Sequence, residues 1–317
     1  MSSEVFYFFI LRQFDFCFQD RYHLFQMIET GAQNHGFRKP LGLALSGGGA
    51  LGSWQAGALS TLEEKFGLSF DSITCFSAGA LNGAALALGA LNTALERWEK
   101  TREKKILKFS PHLFPLSIFS NAPIFSNADY ALDEEKSRKN LRSKLTVLSL
   151  SKDRQTRVER IFEPNGRWDG PLAPWLVASS SIPVIFPPVR LSHQGKEGFF
   201  IDAGVSSPEP MSFKSLAGCQ DIIVLEMIRS DEIARKPNGF LKKLDHNNRL
   251  EVRGFIDEGV RSLQELSPRP RIFRLSPSKT LEFGMLEFTS PLILEALRLG
   301  RDDARTLVQQ AQTFLIG

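Results

Sequence analysis

From Leu41 onward, apolar runs alternate with small or turn-forming residues. "LGLALS" (41–46) is almost continuously apolar and runs into three glycines, the pattern of a buried strand entering a turn. In "SWQAGALSTLEEKF", Leu59, Leu62 and Phe66 recur at helical spacing and Gly67 closes the segment. "DSITCF" (71–76) predicts a second strand, and "AGALNGAALALGALNTALERW" a second helix rich in small residues. Strand, helix, strand, helix is the order of an α/β domain with a parallel sheet covered by helices.

The pattern is less regular beyond that point. Residues 105–127, rich in phenylalanine and proline, predict a folded loop region or short helices. "KSRKNLRSKL" (136–145) predicts a basic helix and "LTVLSLS" (145–151) a strand. "GPLAPWLVASSSIPVIFPPVRL" (170–191) predicts a helix and then a segment held extended by Pro183, Pro187 and Pro188. Strands are expected in "EGFFIDAGV" (197–205), "QDIIVLEMI" (220–228) and "PRIFRLSP" (270–277), and a helix near the end, within "SPLILEALRLGRDDARTLVQQAQTFL". The stretch "KKLDHNNRL" (242–250) has the polarity of a solvated loop. No repeat or low-complexity linker divides the pattern, so one domain is expected over residues 37–317, after an N-terminal extension at 1–36 that reads as an interfacial anchor, an extra packed helix or an extension that folds poorly.

Composition narrows the classes. The 317 residues are 42% hydrophobic and 23% charged, as in an ordinary soluble domain. A net charge of +4 is too weak to point to nucleic acid, and is compatible with contact at an anionic membrane surface. Cys17, Cys75 and Cys219 are scattered, forming neither a metal-ligand cluster nor a disulfide framework, so a reducing compartment is expected. The apolar run Val5–Leu11 is far short of the ~20 residues of a spanning helix, and Glu4 stands where a signal peptide would carry positive charge. A cytoplasmic protein, peripheral to a membrane at most, is the expectation.

"SGGGALG" satisfies G-x-G-x-x-G through Gly47, Gly49 and Gly52. A dinucleotide site would also need an acid at the end of the second strand, but that strand ends Cys75-Phe76-Ser77 and Asp71 lies at its other end. A phosphate-binding loop would need lysine after the last glycine, where Ser53 and Trp54 stand. What remains is a turn whose backbone N–H groups converge at a helix N-terminus, suited to a bound anion or to an oxyanion formed in acyl transfer. A tight turn without a ligand is the alternative.

Ser77 follows a strand and precedes a helix, the setting of a nucleophile elbow; a serine capping a helix is the plain alternative. A serine hydroxyl needs a base. His246 is the only histidine that follows a plausible acid, while His23, His35, His112 and His193 have no catalytic context. Asp202 differs: it ends the apolar strand "FFID" and opens the turn Ala203-Gly204, where burial would raise its pKa above ~3.9. An Asx-type turn is its structural alternative.

Glycine loop, "CFSAG" and "DAG", in that order and with "ASSSIPVIFPPV" (178–189) between the last two, resemble the patatin-like phospholipase family over about residues 40–210. The resemblance implies a three-layer α/β/α fold with a mainly parallel sheet. It implies a Ser–Asp dyad of Ser77 and Asp202, without histidine, and an oxyanion site at Gly47, Gly48, Gly49 and Gly52. The implied reaction is hydrolysis of fatty acyl esters of phospholipids or lysophospholipids through an acyl-enzyme, with no metal or other cofactor. Two positions depart from the family: Cys75 replaces the first glycine of the serine motif, and Leu51 stands where a basic residue is frequent. Neither removes a reacting group, so a slower enzyme is expected; a weakened, lipid-binding protein and a histidine-triad esterase using His246 are the alternatives. Phe109, Phe114, Phe119 and Phe125 are candidates to line an acyl trench, with core packing as the alternative. Lys136, Arg138, Lys139, Arg142 and Lys144 are candidates to meet anionic headgroups, or simply a solvated helix face.

Overall fold

The computed structural model describes residues 36–101, 103, 106–113, 116–232 and 239–313. The extension expected at 1–36 therefore lies outside the described residues apart from Gly36, as do Cys17, His23, His35 and Phe114.

Eight strands form the main sheet in the order β10-β9-β1-β2-β5-β8-β7, with β6 paired to β5. In the chain these are β1 (Leu41–Leu45), β2 (Ser72–Cys75), β5 (Lys144–Ser151), β6 (Thr156–Phe162), β7 (Val189–His193), β8 (Lys196–Asp202), β9 (Asp221–Leu225) and β10 (Arg271–Leu275). β10, β9, β1, β2 and β5 run parallel, whereas β6, β8 and β7 pair antiparallel. β1 and β9 are buried along their whole length, which is why both read as continuous apolar runs rather than alternating ones.

The helices are α1 (Gly52–Ser60), α2 (Ala78–Ala87), α3 (Leu91–Glu99), α4 (Ala122–Asn127), α5 (Glu134–Asn140), α6 (Leu172–Ser179), α7 (Phe240–Gln264) and α8 (Ile293–Thr313). Alternation along β2 assigns the two faces of the sheet. Ile73 and Cys75 face α2, and Thr74 faces the 3-10 turn Lys214–Leu216, its hydroxyl 2.7 Å from that of Ser215. α7 packs over that turn; on the other side α1 packs against α2, α3 and α8. The result is a three-layer α/β/α arrangement with a mostly parallel central sheet.

Four segments differ from the sequence-based expectation. The second helix is two, α2 and α3, because Gly89 breaks it with φ of 66°. Residues 105–127 contain a hairpin, β3 (Lys108–Leu113) and β4 (Leu116–Ser120), before α4. β6 ("TRVERIF"), with three charges and no polar/apolar alternation, was not anticipated. The polar "KKLDHNNRL" lies inside α7, a helix of 25 residues. Ion pairs take up that polarity: Arg249 pairs with both Asp245 and Glu232.

Asp221 fastens the lower edge of the parallel sheet. Its side chain, fully buried at the start of β9, accepts from the Arg38 N–H (2.6 Å) and from the guanidinium groups of Arg38 and Arg271. Burial opposes its charge, but these bonds hold its pKa below the usual carboxylate range. We expect Asp221→Ala to cost about 1–3 kcal/mol, less than a fully buried pair because both guanidinium groups reach solvent. Denaturant unfolding of the two proteins measures this.

Candidate active site

β2 and β8 share one edge of β5. β2 pairs with Lys144–Val147 and stops at Cys75; β8 arrives from the opposite direction, pairs with Ser149–Ser151 and stops at Asp202. Two strand ends thus point at each other across the gap at Leu148. Ser77, just past the end of β2, and Asp202 are brought together there.

Ser77 holds φ 55° and ψ −133°, a conformation rare for any residue with a side chain. Three successive residues at the end of α6 fix it and its partner. The Ser77 N–H donates to the carbonyl (3.1 Å) and hydroxyl (3.0 Å) oxygens of Ser179, and the Ser180 hydroxyl donates to the Ser77 carbonyl (3.2 Å). The Asp202 N–H donates to the Ser181 carbonyl (3.0 Å). This is what the triple serine of "ASSSIP" does. Gly79 lets α2 start so close to β1: a Cβ there would sit 2.5 Å from the Ser46 carbonyl oxygen.

Asp202 is buried, and burial pushes its pKa up to about 7. The neighbouring Ser77 side chain and the hydrogen bond from the Gly204 N–H (2.7 Å) pull the other way without cancelling it. Arg157, on β6, braces the turn that follows. Its guanidinium donates to the carbonyls of Ala203 (3.3 Å), Val205 (3.1 Å) and Glu209.

At the glycine turn, Gly49 has φ of 56°, and a Cβ there would meet the Met285 carbonyl oxygen at 2.1 Å. That carbonyl accepts the Ala50 N–H (2.8 Å), and Gly48 O accepts the Leu51 N–H (3.1 Å). Met285 is held in turn by its own N–H to Asp245 of α7 (2.8 Å). Among the described residues no acceptor takes up the amides of Gly47, Gly48 and Gly49. Gly52, expected with them, is different: its N–H turns into the helix, bonding the carbonyls of Gly49 and Ala50. A buried amide network braces the turn from behind. Trp98 donates to Asn82 (2.9 Å), Asn82 to Gln55 (3.1 Å) and to the Gly52 carbonyl (2.9 Å), and Gln55 to the carbonyls of Ser46 and Leu225.

A cleft opens on Ser77 and Gly49 with a mainly apolar lining that includes Leu81, Trp98, Ile106, Ile124, Ile182 and Phe186. It is narrow: about 80 Å³ is open to the centre of a water molecule. Of the phenylalanines proposed for a trench, the described ones, Phe109, Phe119 and Phe125, do not form this lining. Phe119 and Phe125 pack on a small cluster of Ile124, Val177 and Phe186, and Phe109 is exposed. Among the described residues no histidine lines the cleft. His246 lies in α7, and His193 on β7 stacks edge-on against Trp175. Among the described residues no group of three metal-ligating side chains gathers.

Both departures in the motifs are absorbed by packing. Cys75 is fully buried in the core, its sulfur 3.3 Å from where a Cβ on Gly83 would be, so the glycine of α2 makes room for it. Leu51 is fully buried. Arg157, Gln55 and Asn82 escaped sequence reasoning; the only signal was two amide side chains in otherwise small, apolar helices, groups that must find partners once buried.

A serine at positive φ between strand and helix, beside open glycine amides, has the backbone geometry expected of a nucleophile elbow in an α/β protein. The sequence profile described as Patatin-like phospholipase matches residues 43–212, and the chain belongs to that family. No curated protein matches the sequence significantly. Among solved structures it is similar to VipD from Legionella pneumophila, with 13% identity, a TM-score of 0.47, and coverage of 86% of this chain and 67% of that one. It is also similar to the ExoU–SpcU complex from the type III secretion system of Pseudomonas aeruginosa, with 15% identity and a TM-score of 0.42. That match covers 87% of this chain but only 52% of the other.

The raised pKa has a stability consequence. Between about pH 4, where the unfolded carboxyl ionises, and about 7, the folded chain holds a proton that the unfolded chain has released. The Asp202 contribution therefore falls as pH rises through that window. We expect Asp202→Asn to raise the melting temperature more at pH 8 than at pH 5, as calorimetry at the two pH values will show.

Proposed function

We propose that the protein hydrolyses fatty acyl esters of phospholipids or lysophospholipids, with Ser77 as nucleophile and Asp202 as general base. The observation that carries this reading is that Ser77 lines a narrow apolar cleft where the ends of β2 and β8 bring it to the buried carboxylate of Asp202. Family membership supports the lipid class.

The chemistry follows from the groups in place. Ser77 Oγ attacks the ester carbonyl carbon as its proton passes to the Asp202 carboxylate. The oxygen of the tetrahedral adduct gains negative charge opposite the amides of Gly47, Gly48 and Gly49, at the positive end of α1. The adduct collapses, the Asp202 proton goes to the departing alcohol, and the acyl group remains on Ser77. Water then attacks this ester, giving its proton to Asp202; the second adduct releases the fatty acid and returns a proton to Ser77. A carboxylate with a pKa near 3.9 would be a feeble base for a hydroxyl, so the upward shift is functional in this scheme. A slot this narrow takes one extended chain more readily than a bulky ring.

Ser77→Ala is expected to lower kcat by about 10⁴-fold or more and to abolish labelling by a fluorophosphonate probe, with the fold unchanged by circular dichroism. Full activity in that variant would refute the reading. Asp202→Asn should cost on the order of 10⁴, whereas His246→Ala should leave the rate unchanged; a large loss in the latter would favour a histidine triad instead.

The ionised carboxylate is the active form, so kcat/KM of the wild type is expected to rise with pH and to reach half its plateau near pH 7. A flat profile between pH 5 and 9 would argue against Asp202 as the base.

A further inference from the structure

We propose that the β3–β4 hairpin is the surface by which the protein docks on anionic phospholipid bilayers, delivering lipid to the cleft beside it. This deepens the functional reading above and rests on it for the identity of the substrate.

The hairpin carries apolar side chains where a soluble protein normally hides them. Leu113 is 79% exposed, Leu116 58% and Phe109 71%. Leu113 and Leu116 are cross-strand partners near the tip, and Ile118 follows two residues further along β4. Val184, 47% exposed, lies alongside, joined to the hairpin because the Ile118 N–H donates to its carbonyl (2.9 Å). Scattered exposed leucines need no explanation, but several on one projecting hairpin do.

Position relative to the cleft supplies the second argument. Ile106 precedes the hairpin, Ile124 follows it, and both line the cleft. The neighbouring segment behaves the same way: Phe119 N–H donates to the Ile185 carbonyl (2.9 Å), and Ile182 and Phe186 on either side line the cleft. The hairpin is therefore part of the rim. An acyl chain leaving a bilayer at this point would pass from lipid to Ile106, Ile124 and Phe186 without crossing water.

Charge selects the occupant. Arg102, Lys104, Lys105 and Lys108 precede or open the hairpin in the sequence, against the single acid Glu103. An apolar tip on a segment whose sequence is basic, with Lys108 at the open end of the hairpin opposite Ser120, is the composition of a segment that inserts shallowly while its charges meet anionic headgroups. A second copy of the chain, itself net positive, would be repelled by the same charges.

The test uses the full chain and vesicles of equimolar phosphatidylcholine and phosphatidylglycerol. Wild type and Ser77→Ala are both expected to sediment with the vesicles, since docking needs no chemistry. Leu113→Asp with Leu116→Asp should weaken sedimentation by about tenfold or more, given the apolar area each leucine would bury. It should lower hydrolysis of vesicle phospholipid in parallel, while hydrolysis of soluble p-nitrophenyl butyrate and the melting temperature stay unchanged. Sedimentation of the double variant equal to wild type, or none by wild type, would overturn the proposal. So would a dimer in the absence of vesicles that the double variant abolishes, because the patch would then belong to a second copy. Vesicle binding without any ester hydrolysis would sink the functional reading and leave the docking surface standing; ester hydrolysis without vesicle binding would do the reverse.

Discussion

Ser77 and Asp202 owe their meeting to the edge of β5 that β2 and β8 divide between them. A parallel strand and an antiparallel one cannot both run the full length of that edge, so each ends where the other does. Residues separated widely in sequence are thereby set face to face by backbone pairing alone. The rest of the site elaborates this junction. The triple serine after α6 ties the main chains of both residues to one turn, so neither can shift without the other. Such coupling suits a pair whose separation must be held to a fraction of an ångström.

The parallel half of the fold was legible because its strands are buried on both faces and its helices begin at glycines and serines. The motifs marked the serine turn, the glycine turn and Asp202 at the strand end, each in the position that the fold gives it. Other parts left weaker traces. α7 carries a polar stretch whose arginines pair with acids before the helix, Arg249 with Glu232 and Arg253 with Glu226, and a local reading mistakes such a stretch for a loop; β6, with three charges among seven residues, gave no strand signal. Gly52 illustrates another limit: spacing groups it with Gly47, Gly48 and Gly49, yet only coordinates tell which way an N–H points. The cleft could not be read either, since its walls come from Leu81, Ile106, Ile124, Ile182 and Phe186, each unremarkable in its own segment.

The two unusual motif residues show how a core accepts change. The bulk that Cys75 adds is met by Gly83 on the facing helix, so the elbow keeps its backbone and the sulfur stays buried in the core. Burial raises the thiol pKa strongly, leaving it a small apolar filler and not a rival nucleophile. Leu51 replaces a charge with side-chain packing, and the turn relies on main-chain amides instead.

The contact from Met285 to Ala50 has an evolutionary side. It comes from a stretch beyond residue 212, where the family profile has already ended, and is itself anchored by Asp245 of α7. The most recognisable loop in the chain is thus clasped by one of its least recognisable segments. Relatives that keep every motif letter but diverge in this clasp would inherit the same glycine loop with its backbone held under a different tension, so the geometry around Gly49 could drift without altering a single signature residue.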